Sequence, residues 1–227
     1  MTQQAKPGEV FLIDKPYGWT SFQAVKKVKW MRMAKKCGHA GTLDPLATGL
    51  LVICTERSTK KINDIQAAEK EYVAEITLGA TTPSYDMETE VDQHFPTEHI
   101  TKALIEETLH QFRGTIMQRP PLFSAIKVDG KRAYTLARGG VEHELAERPV
   151  IIHEIEIVQF EAPLLTLRFV CGKGTYIRSL AFDIGKALNS GGYLSGLRRT
   201  RIGEYKVSDA IAPESVQNLR EQGNLSK

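Results

Sequence analysis

With 227 residues, of which 41% are hydrophobic and 25% charged, the chain has the composition of an ordinary soluble globular protein with one well-developed core, and disorder is not the expected state of its body. No stretch reaches the length of a membrane span and the first residues carry no apolar run, so a membrane protein and a secretory signal are not expected and a cytoplasmic location is. The net charge of +3 conceals a polarised chain: Lys26, Lys27, Lys29, Arg32, Lys35 and Lys36 share a stretch without acids, and Arg198, Arg199 and Arg201 cluster again near the end. Such patches are either a nucleic-acid footprint or the solvated face of a helix.

In chain order, residues 10–14 read as a strand ended by a Lys-Pro-Tyr-Gly turn, and Thr20 with Gln23 forms a capping-box pattern that opens a basic amphipathic helix toward Met33. The run 50–54 is continuously apolar, the mark of a short buried strand, and 71–79 is a further strand stopped by a Thr, Pro and Ser cluster. A helix is predicted from 97 to about 112, with Gly114 just past its end. The stretch 117–150 is rich in Pro, Gly and basic residues and has the character of a binding insert. Alternation about Ile155 and Ile157, and again about Leu165, Leu167 and Phe169, gives two half-buried strands. Thr175 is placed as the N-cap of a helix running toward Leu188, with Tyr176 and Arg178 near its start. Strands and helices without regular βαβ alternation make the fold class α+β, with a mixed, mainly antiparallel central sheet flanked by helices.

Cys37, Cys54 and Cys171 are odd in number and widely spaced, which argues for reduced thiols and against a disulfide framework. The six histidines show no metal-ligand spacing, so no metal is expected.

The segment HAGTLDPLATG, from His39 to Gly49, holds one carboxylate, Asp44, in a turn bracketed by Gly41 and Gly49 and stiffened by Pro45. Backed by the apolar strand, that carboxylate is posed either for chemistry or for bonding its own backbone in an Asp-Pro turn.

The run GHAGTLDPLATG at 38–49 resembles the catalytic motif of the TruB family of tRNA pseudouridine synthases nearly residue for residue. Lys70, Glu71 and Tyr72, the run QRPPLFSAIKVDGK at 118–131, GKGTYIR at 172–178 and LRRT at 197–200 follow in family order. The resemblance implies a pseudouridine synthase fold in a single catalytic domain spanning 1–227, with an RNA-gripping insert at about 117–150 and no separate C-terminal RNA-binding domain. It implies isomerisation of uridine 55 in the T loop of tRNA, without cofactor, by an enzyme with no obligate protein partner; a monomer is expected.

In that frame Asp44 is the catalytic carboxylate, as nucleophile or as base. Arg178 is its ionic partner, Tyr72 stacks on the flipped base, and Tyr176 lies near the reacting centre. His39 fills the space the base vacates and Leu197 closes the pocket. Lys15 and Arg198, with the Lys26 to Lys36 and Arg198 to Arg201 groups, are candidates for phosphate contacts, and Asp86 for an RNA contact or a structural role. Pro83 stands where the family carries an acid. Two alternatives belong beside this reading: a non-catalytic tRNA-binding or folding helper, and an RNA-guided pseudouridine synthase.

Overall fold

A computed structural model describes residues 8–123, 127–128, 131–132 and 145–217. In chain order its main elements are β1 (Val10–Lys15), α1 (Ser21–Met31), β2 (Cys37–His39), β3 (Thr48–Thr55), α2 (Ile62–Ala67), β4 (Lys70–Leu78), β5 (Ala80–Thr81), β6 (Gln93–His94), α3 (Lys102–Leu109), β7 (Gly114–Gln118), β8 (Lys127–Val128), β9 (Lys131–Arg132), β10 (Arg148–Glu161), β11 (Leu164–Cys171), α4 (Ile177–Ala187), β12 (Gly192–Ile202) and β13 (Tyr205–Lys206). The chain divides into two compact units, Met1–Tyr72 with Leu197–Lys227, and Val73–Gly196.

In the first unit the strand order is β1, β3, β12, β4, with β2 added to β3 and β13 to β12. β1 runs antiparallel to β3, whereas β12 meets β3 in parallel, Arg199 opposite Gly49. The expected apolar strand is β3, and its lack of alternation has a plain cause: both faces are covered. Leu51 and Ile53 pack with Phe11, Ile13 and the α1 residues Ala24, Val25, Val28 and Met31. Leu50, Val52 and Cys54 pack with Ala40, Ile65 and Ile202 on the other side. The predicted capping box is present: the Thr20 hydroxyl accepts from Gln23 N at 3.1 Å, and the Gln23 side chain accepts from Thr20 N at 2.7 Å. α1 ends at Met31, two residues short of the expected end, and Met33 adopts φ +47° in the turn that follows.

In the second unit the order is β12, β4, β11, β10, β7, and β10 is antiparallel to both β11 and β7. Ile105 and Leu109 of α3, Leu180 and Ile184 of α4, and Leu165, Leu167 and Phe169 of β11 are buried in its core. The architecture is α+β with a mixed, mainly antiparallel sheet, as expected.

Two helix starts differ from expectation. The helix predicted from 97 begins at Lys102, because Thr101 takes the N-cap position and its side chain accepts from Leu104 N at 3.2 Å, while Thr97 to Ile100 close a turn. Beyond Leu109 the chain tightens into a 3-10 turn through Phe112. At α4 the N-cap is Tyr176 and not Thr175. The Thr175 hydroxyl donates to Gly172 O, the Tyr176 N–H donates to Gln118 Oε1 at 2.9 Å, and α4 carries no side-chain cap. Much of the expected insert at 117–150 lies outside the described residues; its ends, β7 and the first residues of β10, pair with each other.

Candidate active site

The turn carrying Asp44 is fastened on several sides. Ser21, the first residue of α1, donates its hydroxyl to Leu43 O at 2.9 Å and accepts from Leu43 N at 2.8 Å. Gly18 N donates to Pro45 O, Ala47 N donates to Asp44 O at 3.1 Å, and Ala40 N donates to Val52 O. Gly41 and Gly49 have φ of +95° and +98°, the left-handed region the bracketing glycines suggested. At Gly49 any side chain is also excluded by contact, since a Cβ there would lie 2.3 Å from Arg199 O. Asp44 itself is half-buried.

Two buried cations hold the same turn. Lys15 has no exposed surface, and its Nζ donates to the carbonyls of Trp19 at 2.6 Å, Pro16 at 3.0 Å and Pro45 at 3.3 Å. Burial pushes its pKa down from 10.5 to about 8; the Asp44 carboxylate opposes that shift and the Arg199 charge adds to it. A phosphate contact by Lys15 is therefore corrected: an ammonium committed to three backbone carbonyls inside the protein does not reach RNA, and it positions the turn instead. Arg199, also fully buried, donates from Nε to Leu50 O at 2.8 Å and from Nη2 to Gly41 O at 3.0 Å, one bond at each end of the segment. It likewise leaves the group of phosphate candidates.

His39 ends β2, and its buried Nδ1 has no hydrogen-bond partner. Burial first, and then the Arg199 charge, lower its pKa below the ordinary imidazole value, so the ring is neutral near pH 7. Tyr72 lies on β4 and is buried; Leu197 is half-buried on β12, its carbonyl accepting from the Thr48 hydroxyl at 3.3 Å. Arg198 is bidentate to the Asp14 carboxylate at 3.0 and 2.7 Å while remaining partly exposed. All of these belong to the first unit.

Tyr176 and Arg178 belong to the second. Gln118 clamps the Tyr176 backbone from both sides, accepting from its N–H and donating to its carbonyl at 3.0 Å, and the Arg148 guanidinium lies 5.1 Å from the Tyr176 ring centroid. Arg178 is buried in the first turn of α4, donating to Ser84 O at 3.3 Å and to Phe123 O at 2.9 Å, with the Asp86 carboxylate 3.6 Å away. Asp86 is itself buried and accepts from Glu88 N at 2.9 Å. Of the two roles expected for Asp86, the direct RNA contact is corrected, because the carboxylate faces Arg178 inside the unit.

Sequence reasoning missed Ser21, Gln118 and the structural use of Lys15 and Arg199. A signal for Lys15 was present, since it continues the alternation of Phe11 and Ile13 onto the buried face of β1. Among the described residues no group of His, Cys, Asp and Glu is arranged to hold a metal ion, and no helix is long and apolar enough to cross a membrane.

Comparison with known proteins gives a consistent result. The model of the TruB family pseudouridylate synthase N-terminal domain matches residues 29–177, and that of the tRNA pseudouridylate synthase B C-terminal domain matches 178–226, a boundary that falls within α4. The tRNA pseudouridine synthase B of Flavobacterium johnsoniae is 58% identical over 211 residues, covering 90% of this chain and 92% of the relative. That of Phocaeicola vulgatus is 52% identical, covering 98% and 97%. Among solved structures, an archaeal box H/ACA sRNP Nop10-Cbf5 complex aligns with a TM-score of 0.69 at 27% identity over 94% of this chain, and a Cbf5-Nop10-Gar1 complex with 0.71 at 30% over 94%. The chain spans 55% and 56% of those two solved chains.

Proposed function

The chain belongs to the TruB family of pseudouridylate synthases, and from that premise we propose that it isomerises uridine 55 in the T loop of tRNA to pseudouridine. The observation that carries the reading is the Asp44 turn, a single carboxylate in a segment fastened by the buried side chains of Ser21, Lys15 and Arg199. A group that served only a surface turn would not need two fully buried cations beneath it.

The chemistry is an isomerisation: the bond from C1′ to N1 breaks, the base turns, and a bond from C1′ to C5 forms while the C5 proton leaves and N1 gains one. Asp44 is the carboxylate that acts at the sugar or the base, as nucleophile or as general base. Its carboxylate and the Lys15 ammonium attract each other. Tyr72, Tyr176, Arg178 and Leu197 keep the roles the family resemblance implies. A neutral His39 suits the space left when the base swings out, because it fills it without bringing a charge into the stack. Flipping costs a few kcal/mol, and stacking on an aromatic ring returns about 1 to 3 kcal/mol of it. We read the chain as one catalytic domain with a gripping insert at about 117–150, working in the cytoplasm as a monomer without an obligate protein partner.

The test is release of tritium from a tRNA transcript labelled at uridine C5. Label is expected to appear in water in proportion to enzyme, and to fall by the share of one uridine when residue 55 of the transcript is changed to cytidine. Release unaffected by that change contradicts the assigned position, and no release from a transcript that binds contradicts the activity. An RNA-guided enzyme would release label only when a guide RNA is supplied.

A further inference from the structure

The exposed face of α1 combines features that the catalytic reading leaves unexplained. Phe22 is 62% and Trp30 72% exposed, and Tyr17, in the loop just before the helix, is 56% exposed. Large aromatic rings in such positions on a well-packed helix are unusual, because α1 already buries Ala24, Val25, Val28 and Met31 on its opposite side. Positions 22, 26, 29 and 30 follow the helical repeat onto one side, and there the exposed Lys26 and Lys29 lie between the two rings. Lys26 Nζ lies 4.8 Å from the Phe22 ring centroid and Lys27 Nζ 5.8 Å from that of Trp30. From Pro16 to Ala40 the chain contains no acid.

We propose that this face of α1 is an RNA-binding platform, on which unpaired bases adjoining the target loop stack on Trp30 and Phe22 while Lys26 and Lys29 take the neighbouring phosphates. The proposal rests on the reading of the chain as an enzyme acting on tRNA. Three observations favour RNA over a protein or membrane occupant. The first is charge complementarity: an acid-free strip of lysines is matched by a polyanion, and the flat aromatic rings at either end of the lysines offer what every base can use. The second is position. Ser21, one residue before Phe22, is bonded twice to Leu43, so the platform begins at the turn that holds Asp44 and runs away from it by about 1.5 Å per residue. The proposal places along that strip the nucleotides that flank the base delivered to Asp44. The third is the loop bearing Tyr17, which is fixed to the same turn by the bond from Gly18 N to Pro45 O at 2.9 Å and adds a third exposed ring at that end.

The experiment measures binding of an unmodified tRNA transcript, and of its isolated T-arm hairpin, to the full-length chain over a range of salt concentrations. The variants are Phe22→Ser, Trp30→Ser, their combination, Trp30→Phe, and Lys26→Gln with Lys29→Gln. All alter exposed side chains, and thermal melting verifies that each variant folds. The combined aromatic variant is expected to bind tRNA about tenfold or more weakly, with Trp30→Phe restoring most of the affinity. The lysine pair is expected to reduce the slope of log affinity against log salt by about 2, one per phosphate. Wild-type affinity in the combined aromatic variant, or an unchanged salt slope in the lysine pair, overturns the platform and hands the face to a protein or a membrane surface. The outcome is separable from that for the proposed function: tritium release by the wild-type chain upholds the activity whatever α1 does, and weakened RNA binding by the aromatic variant upholds the platform even if no label is released.

Discussion

A lysine without exposed surface keeps its charge only if its N–H groups find acceptors, and Lys15 finds the carbonyls of Pro16, Trp19 and Pro45. Its pKa falls from 10.5 to about 8 chiefly through burial. The unfolded chain therefore holds this proton more tightly than the folded one between about pH 8 and 10.5, and the Lys15 contribution makes stability rise with pH across that window. Burial raises the Cys37 thiol from 9.0 to about 11, which acts in the opposite sense from pH 9 upward, so the prediction concerns a difference. Stability of the wild-type chain minus that of Lys15→Met, from urea unfolding at pH 7.5 to 10.5, should increase with pH; a flat or falling difference contradicts a buried, charged Lys15. Asp86 and Arg178 make the same lesson from the acidic side. The sequence showed Asp86 at a family position but not which way it faced, because one carboxylate can serve RNA or a buried guanidinium and only the fold decides.

At the scale of elements, local signals were the reliable ones. Thr20 and Gln23 lie within one turn of each other, so their capping box depends on little beyond the helix itself, and Thr20→Ala should lower stability by about 1 kcal/mol in a urea melt. No change in the midpoint would show that α1 is held by packing alone. The 97–112 helix was misread for the complementary reason. Thr97 and Thr101 are equivalent cap candidates in sequence, and the choice between them depends on the turn that precedes α3. Gly49 looked like ordinary turn chemistry, and its second function needed the parallel register of β3 against β12, which brings the Arg199 backbone against it. Gly49→Ala meets both a left-handed φ and a backbone clash that no side-chain movement relieves. It should cost more than 2 kcal/mol of stability by chemical denaturation. A variant as stable as wild type would mean that β12 sits elsewhere.

For the whole molecule, the α+β class and the strands β1, β3, β4, β10 and β11 followed from periodicity, whereas β12, which lies between β3 and β4, was not predicted; the mixed, mainly antiparallel sheet agrees with the expected class. What periodicity does not carry is long-range support. Ser21, Lys15 and Arg199 come from three separate parts of the chain and converge on the 38–49 segment, and nothing local distinguishes Arg199, fully buried, from its neighbour Arg198, which is partly exposed and paired with Asp14. Their convergence divides the site into a carboxylate that reacts and a frame that aims it. Arg199→Leu should then lower stability by about 1 to 3 kcal/mol, since the carbonyls of Gly41 and Leu50 lose a buried donor, and should lower kcat more than it raises KM. Wild-type kcat in that variant would show that the frame is irrelevant to the chemistry. The most direct measurement is single-turnover tritium release from C5-labelled tRNA by Asp44→Asn beside wild type, with tRNA affinity measured on the same samples. Loss of release by at least about a thousandfold, with affinity within a few-fold of wild type, is the predicted result. Release at the wild-type rate would contradict a catalytic Asp44, and affinity lost in step with release would make Asp44 one more part of the frame.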